Sequence, residues 1–219
     1  MSMIPPFGAR LGLVLIETDK VIEKRMKRAL TYQIITKFKR SAPVIENLLK
    51  RQVAKWILQS PEIKSLMGGQ LQGDFGLVNS ASAVSQIAHA VVSSVDVKLG
   101  ALSSGLRGNA LIVGIQPQSM TNVLTAVAPV RTEKGESLPW IKWLITQGDA
   151  PIITGWHVKE EPGTGRSGLA TMKRGGTYTV GRVDATFSGT VGNNFITRAL
   201  DGKNIEVAAL IIKGLERTK

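Results

Sequence analysis

Six residues, Gly163-Thr164-Gly165-Arg166-Ser167-Gly168, have the spacing most open to a chemical reading. They match G-x-G-x-x-G, in which glycines let the backbone approach a pyrophosphate at a helix N-terminus. That chemistry needs a strand before the glycines and a long helix after them. Here Glu160-Glu161-Pro162 precedes, and Gly175-Gly176 follows within a few residues, so no long helix fits. The stretch also lacks the lysine of a phosphate-binding P-loop. Around Ser167 the nucleophile-elbow spacing G-x-S-x-G fails by one position. We read it as a loop.

Two histidines, His89 and His157, are the only imidazoles. His89 sits among Ala and Val in a helical stretch. His157 alternates with Glu161 on a strand, with Glu160 beside it, but two ligands do not complete a catalytic metal site. No carboxylate pair has the aromatic and polar surroundings of a glycosidase site. No catalytic residue, metal ligand or cofactor is therefore assigned, and the chain is read as no enzyme. An enzyme of unrecognised type, resting on His157, Glu160 and the glycine loop, stays open as an alternative.

The other chemical signal is charge. The 219 residues carry 28 Lys or Arg against 16 Asp or Glu, a net of +12. Residues 1–60 hold 12 basic against 4 acidic side chains, a net of +8. Lys24, Lys27, Arg28, Lys37, Lys39 and Arg40 are the basic-surface candidates. Such a surface meets an acidic partner: nucleic acid, anionic membrane or an acidic protein face. Cysteine is absent, so disulfides and thiolate metal sites are excluded. The apolar run Leu11 to Ile16 is too short to span a bilayer and has no cleavage-site residues after it, so cytoplasmic synthesis without a membrane partner is expected.

These residues must be held by elements that the spacing of apolar positions suggests. Val21, Ile22, Met26, Leu30 and Ile34 recur at three and four, predicting a helix from Asp19, its cap, to Arg40. Pro43 predicts a break, with Ser41 capping a second helix to Gln59. Its apolar face carries Val44, Ile45, Leu48, Leu49, Val53, Trp56 and Ile57. Ser60-Pro61 opens a short third helix ended by Gly68-Gly69, and 68–76 reads as loop. A fourth helix covers 80–94. Alternation over 95–102 and 110–115 predicts a hairpin, followed by a short helix from Pro117 and Ser119 to about Val127. Ser137 is expected to cap a helix over 139–146, closed by Gly148. Strand character returns over 152–158, and 169–173 with 177–180 reads as another hairpin. Helices are expected over 193–200, with Asn193 as cap, and over 205–215. Helices ahead of antiparallel hairpins make the fold α+β: basic N-terminal helices followed by an antiparallel β-sheet with packed helices. The division expected is a basic helical arm or subdomain over 1–70 and an α+β domain over 71–219.

Trp140 and Trp143, three apart on one helix face, suit either a core or a protein interface, where tryptophan anchors are enriched. Trp156 on the next strand could pack in either. Arg166, Asn193 and Arg198 complete the interface candidates.

Three signatures occur in order: Leu138-Pro139-Trp140 with Trp143-Leu144, Arg166-Ser167-Gly168 with Met172, and Gly189-Thr190 with Asn193 to Leu200. In that order, over roughly residues 130–200, the chain resembles neck and tail proteins of tailed bacteriophages, in particular the tail-completion, or head–tail joining, group. More loosely the likeness takes in Ala54-Lys55-Trp56-Ile57 and Gly73 to Leu77. It departs from the pattern at Asp184-Ala185-Thr186-Phe187, where a Pro-rich turn is expected. The resemblance implies a virion structural protein assembled in the host cytoplasm. It would be one subunit of a homo-oligomeric ring, six-fold in expectation, between portal or adaptor and tail tube, touching genomic DNA in passing. Two further readings stay open: a nucleic-acid-binding protein using the basic N-terminal helices, and a baseplate or other tail component.

Overall fold

The computed structural model describes residues 17–117, 119–131, 137–138, 140–148, 156–163, 165, 168–174 and 187–218. The fold is α+β. Its helices are α1 (Asp19–Leu58), α2 (Pro61–Gly68), α3 (Gln70–Phe75), α4 (Ser80–Ser93), α5 (Thr121–Ala126), α6 (Trp140–Ile145), α7 (Phe195–Leu200) and α8 (Asn204–Arg217). Its strands form antiparallel pairs: β1 (Asp96–Leu99) with β2 (Leu111–Gly114), β3 (Val130–Arg131) with β4 (Ser137–Leu138), and β5 (Trp156–Glu160) with β6 (Ala170–Arg174). No helix among the described residues is long and apolar enough to cross a membrane.

The expected break at Pro43 does not occur. Helix α1 is continuous over 40 residues, with Ser41 inside it and Thr18, not Asp19, as its cap. Proline removes the N–H that would reach the carbonyl of Lys39 and crowds that carbonyl, which ordinarily kinks or ends a helix. Contacts to α8 on both sides of Pro43 override this local preference. Lys37 donates to the Thr218 carbonyl, and the Ser41 and Thr218 hydroxyls are hydrogen-bonded. Two residues past the proline, a Cβ on Gly214 would fall 2.4 Å from Ile45 Cγ1, so only glycine lets α8 approach α1 this closely. Helix α8 thus runs antiparallel along the inner half of α1, and Pro43 itself faces solvent.

The two halves of α1 have different surroundings. From Ser41 onward, Ile45, Leu49, Val53, Trp56 and Ile57 are buried at helical spacing, and α4, α7 and α8 pack on them. Each such side chain contributes about 1.5–3 kcal/mol by leaving water. From Asp19 to Arg40 only Thr31 is buried. Its hydroxyl lies 2.8 Å from the Lys27 carbonyl and 3.2 Å from the Ser103 carbonyl, at the end of the β1–β2 hairpin.

The start of α2 follows the sequence rule: Pro61 is at its first turn and Ser60 Oγ accepts from the Ile63 N–H. The segment read as loop over 68–76 is instead mostly helix, α3. Gly73 within it is buried, and a Cβ there would lie 3.3 Å from the Ala170 Cβ. Packing of α3 on β6 therefore outweighs the low helix propensity of glycine. Gly76, at φ +61°, ends α3 in the left-handed conformation, with the Leu77 N–H bonded to the Gln72 carbonyl.

The β1–β2 hairpin forms as expected, pairing Val97 with Val113. Ser137 is not a helix cap: it belongs to β4 and pairs with Arg131, because the β3–β4 ladder takes its backbone groups. Strand β6 pairs with β5, Val158 opposite Met172, and the partner expected for it, 177–180, lies outside the described residues.

Candidate functional site

Residues of the first and third signatures, Leu144 with Gly189, Thr190 and Asn194, meet at one knot between α6 and α7. Gly189 is buried against the end of α6, where a Cβ would stand 1.8 Å from the Leu144 carbonyl oxygen. The Gly148 N–H donates to the Gly189 carbonyl at 2.9 Å, and Gln147 bridges to Thr190. Asn194, fully buried, completes the knot. Its Oδ1 accepts from the Ile196 and Thr197 N–H groups at 3.1 and 3.2 Å, while Thr197 Oγ1 accepts from the Asn194 N–H at 2.8 Å. Its amide nitrogen reaches the carbonyls of Thr190, Ile145 and Val191. Asn194, not the expected Asn193, is the cap of α7. The correction is one residue, but it moves the amide from solvent into the core.

Trp140 and Trp143 lie inside this chain's own core. Trp140 is 0% exposed and Trp143 5%, both against Phe75, with ring centroids 5.7 and 6.0 Å apart. Their indole N–H groups have no hydrogen-bond partner among the described residues. Arg198 is half-buried and paired. Its Nε and Nη2 donate to Glu62 Oε1 at 3.2 and 2.6 Å, and its Nη1 donates to Asn193 Oδ1 at 2.9 Å. Asn193 is exposed and serves as one jaw on that guanidinium. Trp156 contributes backbone pairing to β5, opposite Arg174. Arg166 lies outside the described residues.

Beside the Arg198–Glu62 pair is an open cleft of about 490 Å³ lined by Trp56, Glu62, Phe187, Phe195, Arg198 and Lys203. At its rim Lys203 stands 5.5 Å over the Trp56 ring, and Glu206 accepts from both Lys203 Nζ and Trp56 Nε1. The Lys203 hydrogen bond, with help from Trp56, holds the Glu206 carboxyl below the usual carboxylate range. The cations around this cleft are satisfied within the fold.

His89 is exposed on α4, and His157 pairs through its backbone with Lys173. Among the described residues no three His, Cys, Asp or Glu side chains converge as metal ligands. The glycine stretch forms the β5–β6 connection. Gly163, Gly165 and Gly168 have φ of +84°, +76° and +73°, and the Gly163 N–H bonds to the Gly168 carbonyl, so the glycines turn a hairpin.

The six basic candidates separate into two groups. Lys27 is bonded to Glu23, whose carboxyl is lowered by that contact, and Lys37 is bonded to Thr218. Lys24, Arg28, Lys39 and Arg40 are exposed without an ion pair among the described residues, and Lys20 joins them.

Among the described residues, exposed apolar side chains line up along a helix in two places. On α8, Ile205 is 84% and Ile212 57% exposed, seven residues apart on one face with exposed Ala208 and Ala209 between. On the outer half of α1, Ile22, Met26 and Leu30 form a four-spaced row beside Leu106 of the β1–β2 hairpin, with Met26 60% exposed. Compared with family models, curated proteins and solved structures, the chain has no match in any of the three.

Sequence reasoning missed Glu62 and the α8 face, and it named Gly189 and Asn194 only as parts of a signature, without their buried contacts. Glu62 carried one local signal, an acid in the first turn of a helix, but its partner stands 136 residues away. Ile205 and Ile212 share a helical face in the sequence too, though nothing there says which of two apolar faces the core takes.

Proposed function

We propose that this chain is a structural subunit of a tailed-bacteriophage neck or tail. In this reading it forms a homo-oligomeric ring between portal or adaptor and tail tube, without catalysis or cofactor. The observation that carries the reading is the second apolar face of α8. One side of this helix packs on α1 through Gly214, Val207 and Leu215, yet Ile205 and Ile212 are left to water on another. Apolar side chains regularly spaced on an exposed helix mark a protein contact. A ring requires a heterologous contact, in which two different patches of one subunit meet across each interface. The α8 face and the Ile22–Met26–Leu30 row are two such patches, one along the inner half of α1 and one on its outer half.

Light scattering coupled to size exclusion, followed by electron microscopy of the peak, tests assembly. A closed ring is expected for the wild type. Ile205→Glu with Ile212→Glu should yield a folded monomer with an unchanged circular dichroism spectrum. A wild type that stays monomeric as concentration rises rules the ring out. Mass spectrometry of purified virions tests the location, and absence of the chain from particles defeats it.

A further inference from the structure

The outer half of α1 carries, beside its apolar row, a second row of a different kind. Lys20, Lys24, Arg28, Tyr32, Thr36 and Arg40 follow one another at intervals of four, each about 6 Å along the axis and about 40° around it from the last, so the row winds about half-way round the helix. Four of the six are cations, all exposed and none in an ion pair among the described residues. Lys39 stands next to the end of the row, and Tyr32, 73% exposed, sits in its middle. Of the acids nearby, Glu17 is engaged with Arg25 and Glu23 with Lys27, and Asp19 lies with Ile22 and Met26 along the apolar row. From Lys20 to Arg40 the row spans about 30 Å.

We infer that this ridge is a docking surface for the phosphate backbone of duplex DNA, read without regard to sequence. Unneutralised like charges at helical spacing repel one another and destabilise a helix locally. A polyanion lying along the row reverses that sign. Its condensed counterions are released when lysine and arginine replace them, which drives binding. The duplex is favoured over a single strand because Tyr32 is the lone aromatic in the row, whereas single-strand grooves stack successive bases on several rings. It is favoured over duplex RNA because a bare α-helix about 10–12 Å across fits the major groove of B-DNA but not the deep, narrow groove of the A-form. On this half of α1 the hairpin meets Thr31 and lies beside the apolar row at Leu106, and Thr218 meets Lys37, while Lys20, Lys24, Arg28 and Arg40 stay exposed, so the cations can meet a duplex without unfolding anything. The inference rests on α1 alone and stands whether or not the chain forms a ring.

The test uses the full chain and a fluorescently labelled 30-base-pair duplex of arbitrary sequence, followed by anisotropy over a salt titration. One variant carries Lys20→Gln, Lys24→Gln, Arg28→Gln and Arg40→Gln. A control loses the same charge from exposed positions elsewhere: Lys64→Gln, Lys142→Gln, Lys213→Gln and Arg217→Gln. The wild type and the control should bind. The ridge variant should bind roughly tenfold more weakly or worse, with its salt slope reduced by about three to four, near 0.9 per lost phosphate contact. It should keep the wild-type oligomeric state, so that loss of DNA binding and loss of assembly are read apart. Failure of the wild type to bind, or an equal loss in both variants, overturns the inference. So does competition by polyglutamate at the same charge concentration, which would make an acidic protein the occupant.

Discussion

Arg198 on α7 reaches across to Glu62 on α2, with Nη2 2.6 Å and Nε 3.2 Å from the same carboxylate oxygen. The carboxylate is nearly fully buried, while a third of the arginine side chain meets solvent. Removing the arginine leaves a buried charge without its counter-ion, and that costs more than the pair itself is worth. Arg198→Ala should destabilise the fold by about 2–3 kcal/mol in urea unfolding. Adding Glu62→Gln to that variant should recover part of the loss. Equal midpoints for the single and double variants would show that Glu62 is indifferent to its partner.

Gly189 has no room for a side chain, with the Leu144 carbonyl 1.8 Å from where a Cβ would be and Asn194 Cβ at 2.9 Å. Backbone cannot yield as a side-chain tip can, so Gly189→Ala must separate α6 from the turn ahead of α7. The expected cost is about 3 kcal/mol or more. Gly192, three residues on, has nothing within 4 Å of its Cβ position, so Gly192→Ala should be nearly silent. Thermal melts of the two variants side by side decide it.

Asn194 and Asn193 separate in the same way. Asn194→Ala removes a cap and strands buried N–H and C=O groups, costing about 2–3 kcal/mol. Asn193→Ala removes one exposed bond to Arg198 and should cost under about 1 kcal/mol. A reversed order in chemical denaturation would return the capping role to Asn193.

Particular elements show why some of this fold could be read from sequence and some could not. Ser60-Pro61 opens α2 and Val97 pairs with Val113 because capping and strand alternation act over a few residues. Pro43 and Gly73 break their local rules because distant partners outweigh them, Thr218 and Gly214 for α1 and Ala170 for α3, while Ser137 is claimed by a strand ladder with Arg131 that its own spacing does not announce. The same limit governs the candidate site. Arg198 could be singled out, but not its partner Glu62, and Trp140 and Trp143 suited core or interface until Phe75 was placed against them. The basic character of α1 was legible, whereas which cations are paired depended on the helix's continuity and on α8.

If α8 is what keeps α1 continuous through Pro43, the proline itself is a net burden. Its ring is exposed, while alanine restores an N–H able to bond to the Lys39 carbonyl. Proline costs a helix interior about 3 kcal/mol relative to alanine, partly offset by the freer unfolded chain. Pro43→Ala should therefore raise stability by about 1–2 kcal/mol. A higher urea midpoint with an unchanged slope is the expected result. A lower midpoint would mean that the proline shapes a bend on which α8 depends.

Acid should loosen the contact between the start of α8 and α1 through Glu206. Its carboxylate accepts from Lys203 Nζ at 2.8 Å and from Trp56 Nε1 at 3.2 Å, and these bonds hold its folded-state pKa below the ordinary carboxylate value. A lowered folded pKa means that ionised Glu206 favours the folded state. That contribution is complete above the ordinary carboxylate pKa and is lost as pH falls below it, through the folded value. Thermal midpoints of wild type and Glu206→Gln should therefore differ at neutral pH and converge in acid, because the glutamine cannot titrate. Since Glu206 is exposed at its far side, the gap should also shrink with added salt. A gap that persists unchanged below the carboxylate range would show that the glutamine alters packing around Trp56, with the charge of Glu206 contributing nothing.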